Sequence, residues 1–121
     1  MKNEDLTNIR IGGREINFPA QIEQKIELHG LYIVRIYPTD DELDVYPQEK
    51  LNRNVYAYNE TGGLVWQIDE VPHGDKDSAK AYMNIWVEKG DLIASNWVGL
   101  DYRVNLKNGS VDSYRKNVRP W

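Results

Sequence analysis

The chain of 121 residues has no cysteine, one phenylalanine, two methionines and two histidines. Without cysteine it cannot form disulfides, thiolate zinc sites or iron–sulfur clusters, and it has no thiol nucleophile. Its longest apolar run, Leu31 to Ile36, is interrupted by Arg35 and is too short to span a bilayer. The first fifteen residues lack the apolar stretch of a secretion signal. We therefore expect a soluble, cytoplasmic protein that carries no cofactor and does not bind membranes.

The charge is acidic but small, with 15 Lys plus Arg, 19 Asp plus Glu and a net charge of −4. Because hydrophobic residues make up 40% of the chain, disorder is excluded, and the length suits a single domain over residues 1–121. An acidic balance argues against a nucleic-acid partner. The charge is also uneven: residues 1–60 hold 7 basic and 11 acidic side chains, and residues 61–121 hold 8 of each.

Aromatic and β-branched residues dominate what is present. Eight Tyr, four Trp, ten Val and ten Ile give 32 of 121 residues, and these types favour strands. Short apolar runs bounded by Gly, Asn, Asp or Pro recur along most of the chain, which is typical of an antiparallel all-β fold. One window, residues 77–85, has weak helical spacing, so a short helix there stays open.

The runs predict specific hairpins. Residues 8–18 form the first, because Gly12 and Gly13 suit a turn with positive φ angles, and Pro19 ends it. Further strands are predicted at 22–28, 31–37, 54–58, 64–68, 82–87, 92–97, 101–106 and 110–114. Residues 39–54 form the longest irregular stretch, with Leu43, Val45 and Leu51 as anchors to the core.

The sequence also contains an internal repeat, over approximately residues 22–69 and 82–114. A shift of 60 superimposes Ile26–Ile33 on Trp86–Ile93 with the turn glycines aligned. A shift of 46 superimposes the Tyr-x-x-Asn of residues 56–59 on that of residues 102–105. The difference of 14 residues is absorbed by the long acidic loop of the first copy. In each copy Asn is followed four residues later by Gly, and we expect the Asn to cap the turn and the Gly to adopt a positive φ.

At these residues the chain resembles a known family. Val55 to Trp66, with its Tyr-Ala-Tyr-Asn strand, glycine turn and closing Trp, looks like the outer hairpin of a β-propeller blade of the quinoprotein type. The resemblance implies blade-like sheets, and no quinone or metal chemistry is carried over with it. Two such sheets are too few for a closed propeller. The chain also resembles, in size and acidity, small bacterial proteins that include immunity proteins of toxin systems.

Candidate binding residues come from charge and from aromatic side chains. Asp40, Asp41, Glu42 and Asp44 form a dense anionic cluster in the insertion, and such a cluster attracts a basic protein partner. Trp97 and Trp121 are candidate anchors, since exposed Trp is favoured at interfaces. Exposed Trp and Tyr could alternatively bind a small ligand or a carbohydrate. Most of the remaining aromatic residues, including Trp66 and Trp86, are expected to pack in the core or across strands.

Catalytic motifs are missing. His29 is expected in an exposed turn, whereas His73 lies near Asp75 and Asp77 and offers a weak candidate for a metal site or general base. The segment starting at Asp75 departs from a calcium loop at its sixth and twelfth positions. The sequence therefore predicts two four-stranded antiparallel meanders plus an N-terminal hairpin, packed as a sandwich or an open partial propeller. We expect a non-catalytic interaction module, with a homodimer possible through its sheet edges.

Overall fold

A computed structural model of the chain describes residues 7–43, 45–71, 81–96 and 99–114. It confirms the all-β architecture, with a two-stranded sheet β1-β2 and two four-stranded antiparallel sheets, β3-β4-β5-β6 and β10-β9-β8-β7. In chain order the elements are β1 (Asn8–Ile11), β2 (Arg14–Asn17), β3 (Gln21–Leu28), β4 (Leu31–Tyr37), α1 (Asp40–Leu43), α2 (Gln48–Leu51), β5 (Val55–Tyr58), β6 (Leu64–Gln67), β7 (Tyr82–Glu88), β8 (Asp91–Asn96), β9 (Asp101–Val104) and β10 (Val111–Ser113). The sequence had allowed a short helix over residues 77–85. Residues 82–85 belong instead to strand β7, and residues 77–80 lie outside the described residues.

The turns follow from residues that tolerate positive φ. Gly12 and Gly13, with φ of 59° and 82°, connect β1 to β2 as predicted. His29–Gly30 and Lys89–Gly90 make the equivalent turns of the two sheets, and all four residues have positive φ. Two central residues with positive φ are typical of a type I′ hairpin, whose twist matches that of the strands.

In the Asn-x-x-x-Gly turns, the Asn side chain caps the turn as predicted, but the predicted Gly adopts a positive φ in only one of the two turns. Asn59 Oδ1 accepts hydrogen bonds from the backbone N–H groups of Thr61 and Gly63, at 3.0 and 2.9 Å. The glycine with positive φ is Gly62 in the first turn and Gly109 in the second, at 87° and 81°. The expectation for Gly63 was therefore wrong, because the first turn is tighter: Gly62 N–H bonds back to Asn59 O over three residues.

The two four-stranded sheets share one strand register. Ile33 pairs with Ala57 in the first sheet, and Ile93 pairs with Arg103 in the second, which are the shifts of 60 and 46 found in the sequence. The correspondence includes an irregularity: the β3–β4 register shifts between Ile22 and Gln24, and the β7–β8 register shifts at the same place, between Tyr82 and Asn84. Another register shift interrupts the β5–β6 pairing.

The layers stack in the same sense. One core cluster lies between the sheets and combines Ile33 and Ala57 of the first with Leu92 and Ala94 of the second. In the first sheet, Tyr32 and Val34 occupy the positions that Leu92 and Ala94 occupy in the second. This face of the first sheet packs against the β1-β2 hairpin, in a second cluster that includes Val34 and Phe18. Each layer thus presents the same type of face to the layer before it.

The two ends of this stack carry charged and polar side chains, but they differ in composition. On the hairpin, the outward positions Asn8, Arg10, Glu15 and Asn17 are all exposed. On the second sheet, the positions equivalent to the inward-packing Leu28, Leu31, Val55 and Trp66 of the first sheet are carboxylates: Glu88, Asp91, Asp101 and Asp112. Trp86 and the fully buried Ile93 lie on the same face as these carboxylates, so this face combines acidic and apolar side chains.

Two side-chain amides join the sheets by bonding the backbone of β7, an edge strand whose outer N–H and C=O groups have no neighbouring strand. The fully buried Asn54 donates from Nδ2 to Tyr82 O at 2.9 Å and accepts from Tyr82 N–H at 3.0 Å. The same Nδ2 also donates to Ile36 O, at 2.9 Å. A single amide thereby connects β4, β7 and the segment before β5.

Gln24 repeats this arrangement further along β7. Its Oε1 accepts from Ile85 N–H at 2.9 Å and its Nε2 donates to Ile85 O at 3.0 Å. The same amide donates to Asn84 Oδ1 at 2.9 Å and accepts from Arg35 Nε at 2.6 Å. Arg35 is only 8% exposed, and this burial lowers the pKa of its guanidinium, while the nearby Glu23 carboxylate opposes that change.

The insertion between β4 and β5 is more regular than predicted. It contains α1 and α2, of four residues each, where the sequence indicated only irregular structure. Leu51 is buried and Leu43 is half-buried, as expected of anchors, but the prediction for Val45 was wrong because this side chain is 81% exposed. Helices this short lack the periodic apolar pattern by which a sequence reveals a helix.

We expect Asn54→Ala to lower the free energy of unfolding by about 3 kcal/mol, because it leaves buried backbone groups of Tyr82 and Ile36 without partners. Urea unfolding at neutral pH measures the change. The matched variant Asn17→Ala removes an exposed amide and should change the stability by less than about 0.5 kcal/mol. Equal small effects in both variants would show that the Asn54 amide does not join the sheets.

Two neighbouring glycines test how the hairpin docks. At Gly13, a Cβ would meet no atom within 4 Å, so Gly13→Ala adds only the strain of positive φ, about 1 kcal/mol. At Gly12, a Cβ would collide with the backbone of Glu60 and lie 2.6 Å from Thr61 Cα. We expect Gly12→Ala to cost about 3 kcal/mol or more by thermal or urea unfolding. Similar losses in the two variants would contradict this packing of the hairpin turn.

Candidate functional site

Three of the predicted acidic residues lie together on α1. Asp40, Asp41 and Glu42 are all exposed, and they follow Thr39, whose carbonyl accepts the N–H of Glu42 at 3.0 Å. Glu42 Oε1 in turn accepts the N–H of Thr39 at 3.1 Å. This reciprocal pairing resembles a capping box and fixes the Glu42 carboxylate at the start of the helix.

A groove of about 310 Å³ lies beside α1. Pro19, Val45 and Pro47 give it apolar walls, and Tyr46 supplies an aromatic ring. Two charged side chains complete the lining: Glu42 from α1 and Lys50 from α2. In the described part of the chain, Glu42 and Lys50 form no ion pair with each other, so both charges face the groove separately.

The structure around Tyr46 ties the groove to the core. Tyr46 packs against the cluster under the hairpin, which contains Phe18 and, at its margin, Tyr56. Burial raises the pKa of the Tyr46 phenol, and the nearby Tyr56 and Glu42 raise it further. Tyr46 therefore stays neutral at physiological pH, with its ring held in place and the Glu42 carboxylate close to it.

The α2 segment supports the other wall of the groove. Pro47 precedes the helix with extended backbone, and Leu51 anchors the helix in the core. Gln48 Nε2 donates to Asn52 Oδ1 at 2.8 Å, one turn later. Because α2 is fixed at both ends, the groove is formed by ordered chain on each side.

The structure brings only some of the predicted site residues together. Asp40, Asp41 and Glu42 form one exposed surface on α1, as the charge pattern indicated. Six others lie outside the described residues: Asp44, Trp97, Trp121, His73, Asp75 and Asp77. Among the described residues, no three His, Asp or Glu side chains cluster as metal ligands. His29 lies in an exposed turn, as expected, with Nε2 3.4 Å from Gly90 O.

The aromatic side chains are mostly in the core, as expected. Trp66 is buried and its Nε1 donates to Leu106 O at 2.8 Å, which connects β6 to the last turn of the second sheet. Tyr82 and Tyr102 are buried with their rings edge-to-face, 6.5 Å apart. In the described ranges, the exposed large apolar side chains are aliphatic or Met, and aromatic side chains outside the core, such as Tyr46 and Trp86, are half-buried.

A second cavity, of about 290 Å³, lies between β1 and the β3–β4 hairpin. Arg10, Lys25 and Glu27 are at its rim, and Tyr32 and Val34 line it. The charged side chains that line this cavity are thus two basic ones and one acidic one. In the described part of the chain, no helix is long and apolar enough to cross a membrane.

The acidic residues of the groove could be predicted from the sequence, but its apolar walls could not. Tyr46 and Pro47 follow directly on the acidic cluster, and Pro19 comes from the distant end of the hairpin. The available signal was the pair Val45 and Tyr46 between two prolines, Pro38 and Pro47, in a segment that has no counterpart of similar length in the second sheet.

Comparison with known proteins identifies the family without assigning an activity. No curated protein and no solved structure matches the chain. A family model described as "Domain of unknown function (DUF7957)" matches residues 2–116, which is nearly the whole chain. The chain belongs to the DUF7957 family.

Proposed function

We propose that the protein is a non-catalytic interaction module that binds a basic protein partner through α1 and the adjoining groove. One observation carries the proposal: the 81% exposed Val45 lies in a groove that also contains Glu42, next to the exposed carboxylates of Asp40 and Asp41. An exposed apolar group beside concentrated charge of one sign is typical of an interaction surface.

The position of this surface supports the proposal. In the first sheet 17 residues, 38–54, connect β4 to β5, whereas in the second sheet four residues, 97–100, connect β8 to β9. The strand registers on either side of these two connections are equivalent. Most of the insertion is thus not needed to form a sheet: its last residues, including Leu51 and Asn54, are buried in the scaffold, and its exposed part adds the acidic surface.

The charge distribution indicates the chemistry of the partner. The whole net charge of −4 resides in residues 1–60, where the insertion lies. Such a surface speeds encounter with a basic protein and disfavours an acidic one. An immunity-type role, in which the acidic surface covers a basic toxin domain in the cytoplasm, is the form of this proposal that the size and charge favour.

We also propose that the two four-stranded sheets are duplicated copies of one blade-like unit. Equal registers, equal β-bulge positions and the same sense of stacking support one ancestral four-stranded meander. Pairing of two copies through sheet edges remains a further prediction. The register shifts in β3, β6 and β7 reduce the continuous edge available for it, because bulges interrupt edge pairing.

Selection from a displayed random-peptide library against the full chain tests the proposal. We expect the enriched peptides to carry net positive charge. Their affinity should fall at least tenfold for the variant Asp40→Asn, Asp41→Asn, Glu42→Gln at low salt, because three carboxylates contribute to the attraction.

The matched control neutralises three exposed acidic residues elsewhere: Glu15→Gln, Glu60→Gln and Asp112→Asn. It makes the same change in net charge and should leave the affinity within about twofold. If neutral or acidic peptides are enriched, or if both variants bind equally, the acidic surface is not the binding site and the proposal is wrong.

A further inference from the structure

We infer that the groove beside α1 takes an arginine side chain of the partner, with its guanidinium over the Tyr46 ring and bonded to the Glu42 carboxylate. This inference rests on the proposed function in one respect: it takes the partner to be a protein. Its basis is the combination of side chains that line the groove, beyond the charge of α1 alone.

The size of the groove fits a side chain. Its volume of about 310 Å³ is at the lower end of the range for ligand pockets, about 300–1,000 Å³. Its walls of Pro19, Val45 and Pro47 are apolar and aliphatic. They suit a methylene stem, which a long basic side chain buries while its charged head stays at the polar end.

The polar end of the groove fits a planar cation. Glu42 uses Oε1 to accept the Thr39 N–H, and among the described residues its Oε2 has no hydrogen-bond partner. The half-buried Tyr46 also lines the groove, and a guanidinium stacks on an aromatic ring better than an ammonium does. The carboxylate and the ring together match the head of arginine, which bonds carboxylates in a planar fork.

Lys50 sets a limit on this affinity. Its side chain also lines the groove, and its ammonium group repels any cation that enters. The groove therefore binds an isolated arginine weakly, and neutralising Lys50 should strengthen binding. A purely structural groove would show no such response.

Titration of the uniformly ¹⁵N-labelled full chain tests the inference, with N-acetyl-arginine methylamide as the probe. We expect saturable amide shifts at residues 39–43, at Tyr46 and at Lys50. The lysine analogue should bind more weakly, and the citrulline analogue, which has the same shape without the charge, should not bind measurably.

Variants separate the contributions. Glu42→Gln should weaken arginine binding about tenfold while keeping an oxygen for the Thr39 cap, so the helix is retained. Tyr46→Phe keeps the ring and should bind as the native chain does, whereas Lys50→Gln should bind two- to threefold more tightly. Glu49→Gln, on the exposed side of α2, is the matched control and should change nothing.

The outcomes distinguish this inference from the proposed function. Equal shifts with arginine and citrulline, or shifts confined to other residues, overturn the arginine site. If library peptides still bind through α1 but tolerate replacement of every arginine by lysine, the interaction module stands and only the arginine inference fails. If no basic peptide is selected while the arginine shifts occur as expected, the proposed function fails and the arginine site stands.

Discussion

The fold depends on satisfying the outer backbone of β7 with side chains instead of a strand. A sheet edge that faces another layer must find partners for its N–H and C=O groups or lose several kilocalories per mole. Here the amides of Asn54 and Gln24 bond to both backbone groups of Tyr82 and of Ile85. The two sheets are thereby fixed in one relative position, and the apolar cluster between them can pack closely. An apolar interface alone has no comparable directional constraint.

This rigid scaffold explains why an insertion can be accommodated. Asn54 is both the last residue of the insertion and the buried amide that bonds β7, so the returning chain is held where β5 begins. Leu51 anchors α2 to the core, and the hydrogen bond from the Thr39 N–H to Glu42 caps the start of α1. Between these fixed points the chain presents charge and an exposed Val45 without disturbing the strand register. The exposed part of the insertion can therefore vary without altering the strand register.

Much of the fold could be predicted from the sequence, because hairpin turns and strand periodicity are local signals. The glycine turns at Gly12–Gly13 and Gly30, and the two alignment shifts, were visible directly. The site could be predicted only in part: adjacent carboxylates are evident in a sequence, but the packing of Pro19 near Tyr46 depends on how a distant hairpin folds over the sheet. The roles of Asn54 and Gln24 could not be predicted either, because the sequence does not show whether an amide side chain is buried or exposed.

The carboxylates on the outer face of the second sheet have a consequence for how this architecture can evolve. Layers that always stack in one sense can in principle be extended by another layer, and copies from different chains could continue the series into filaments. Glu88, Asp91, Asp101 and Asp112 stand where the preceding sheet has the apolar side chains that hold its neighbour. A third sheet that packed there as the first sheet packs on the second would have to bury these carboxylates, and burying charged groups is costly.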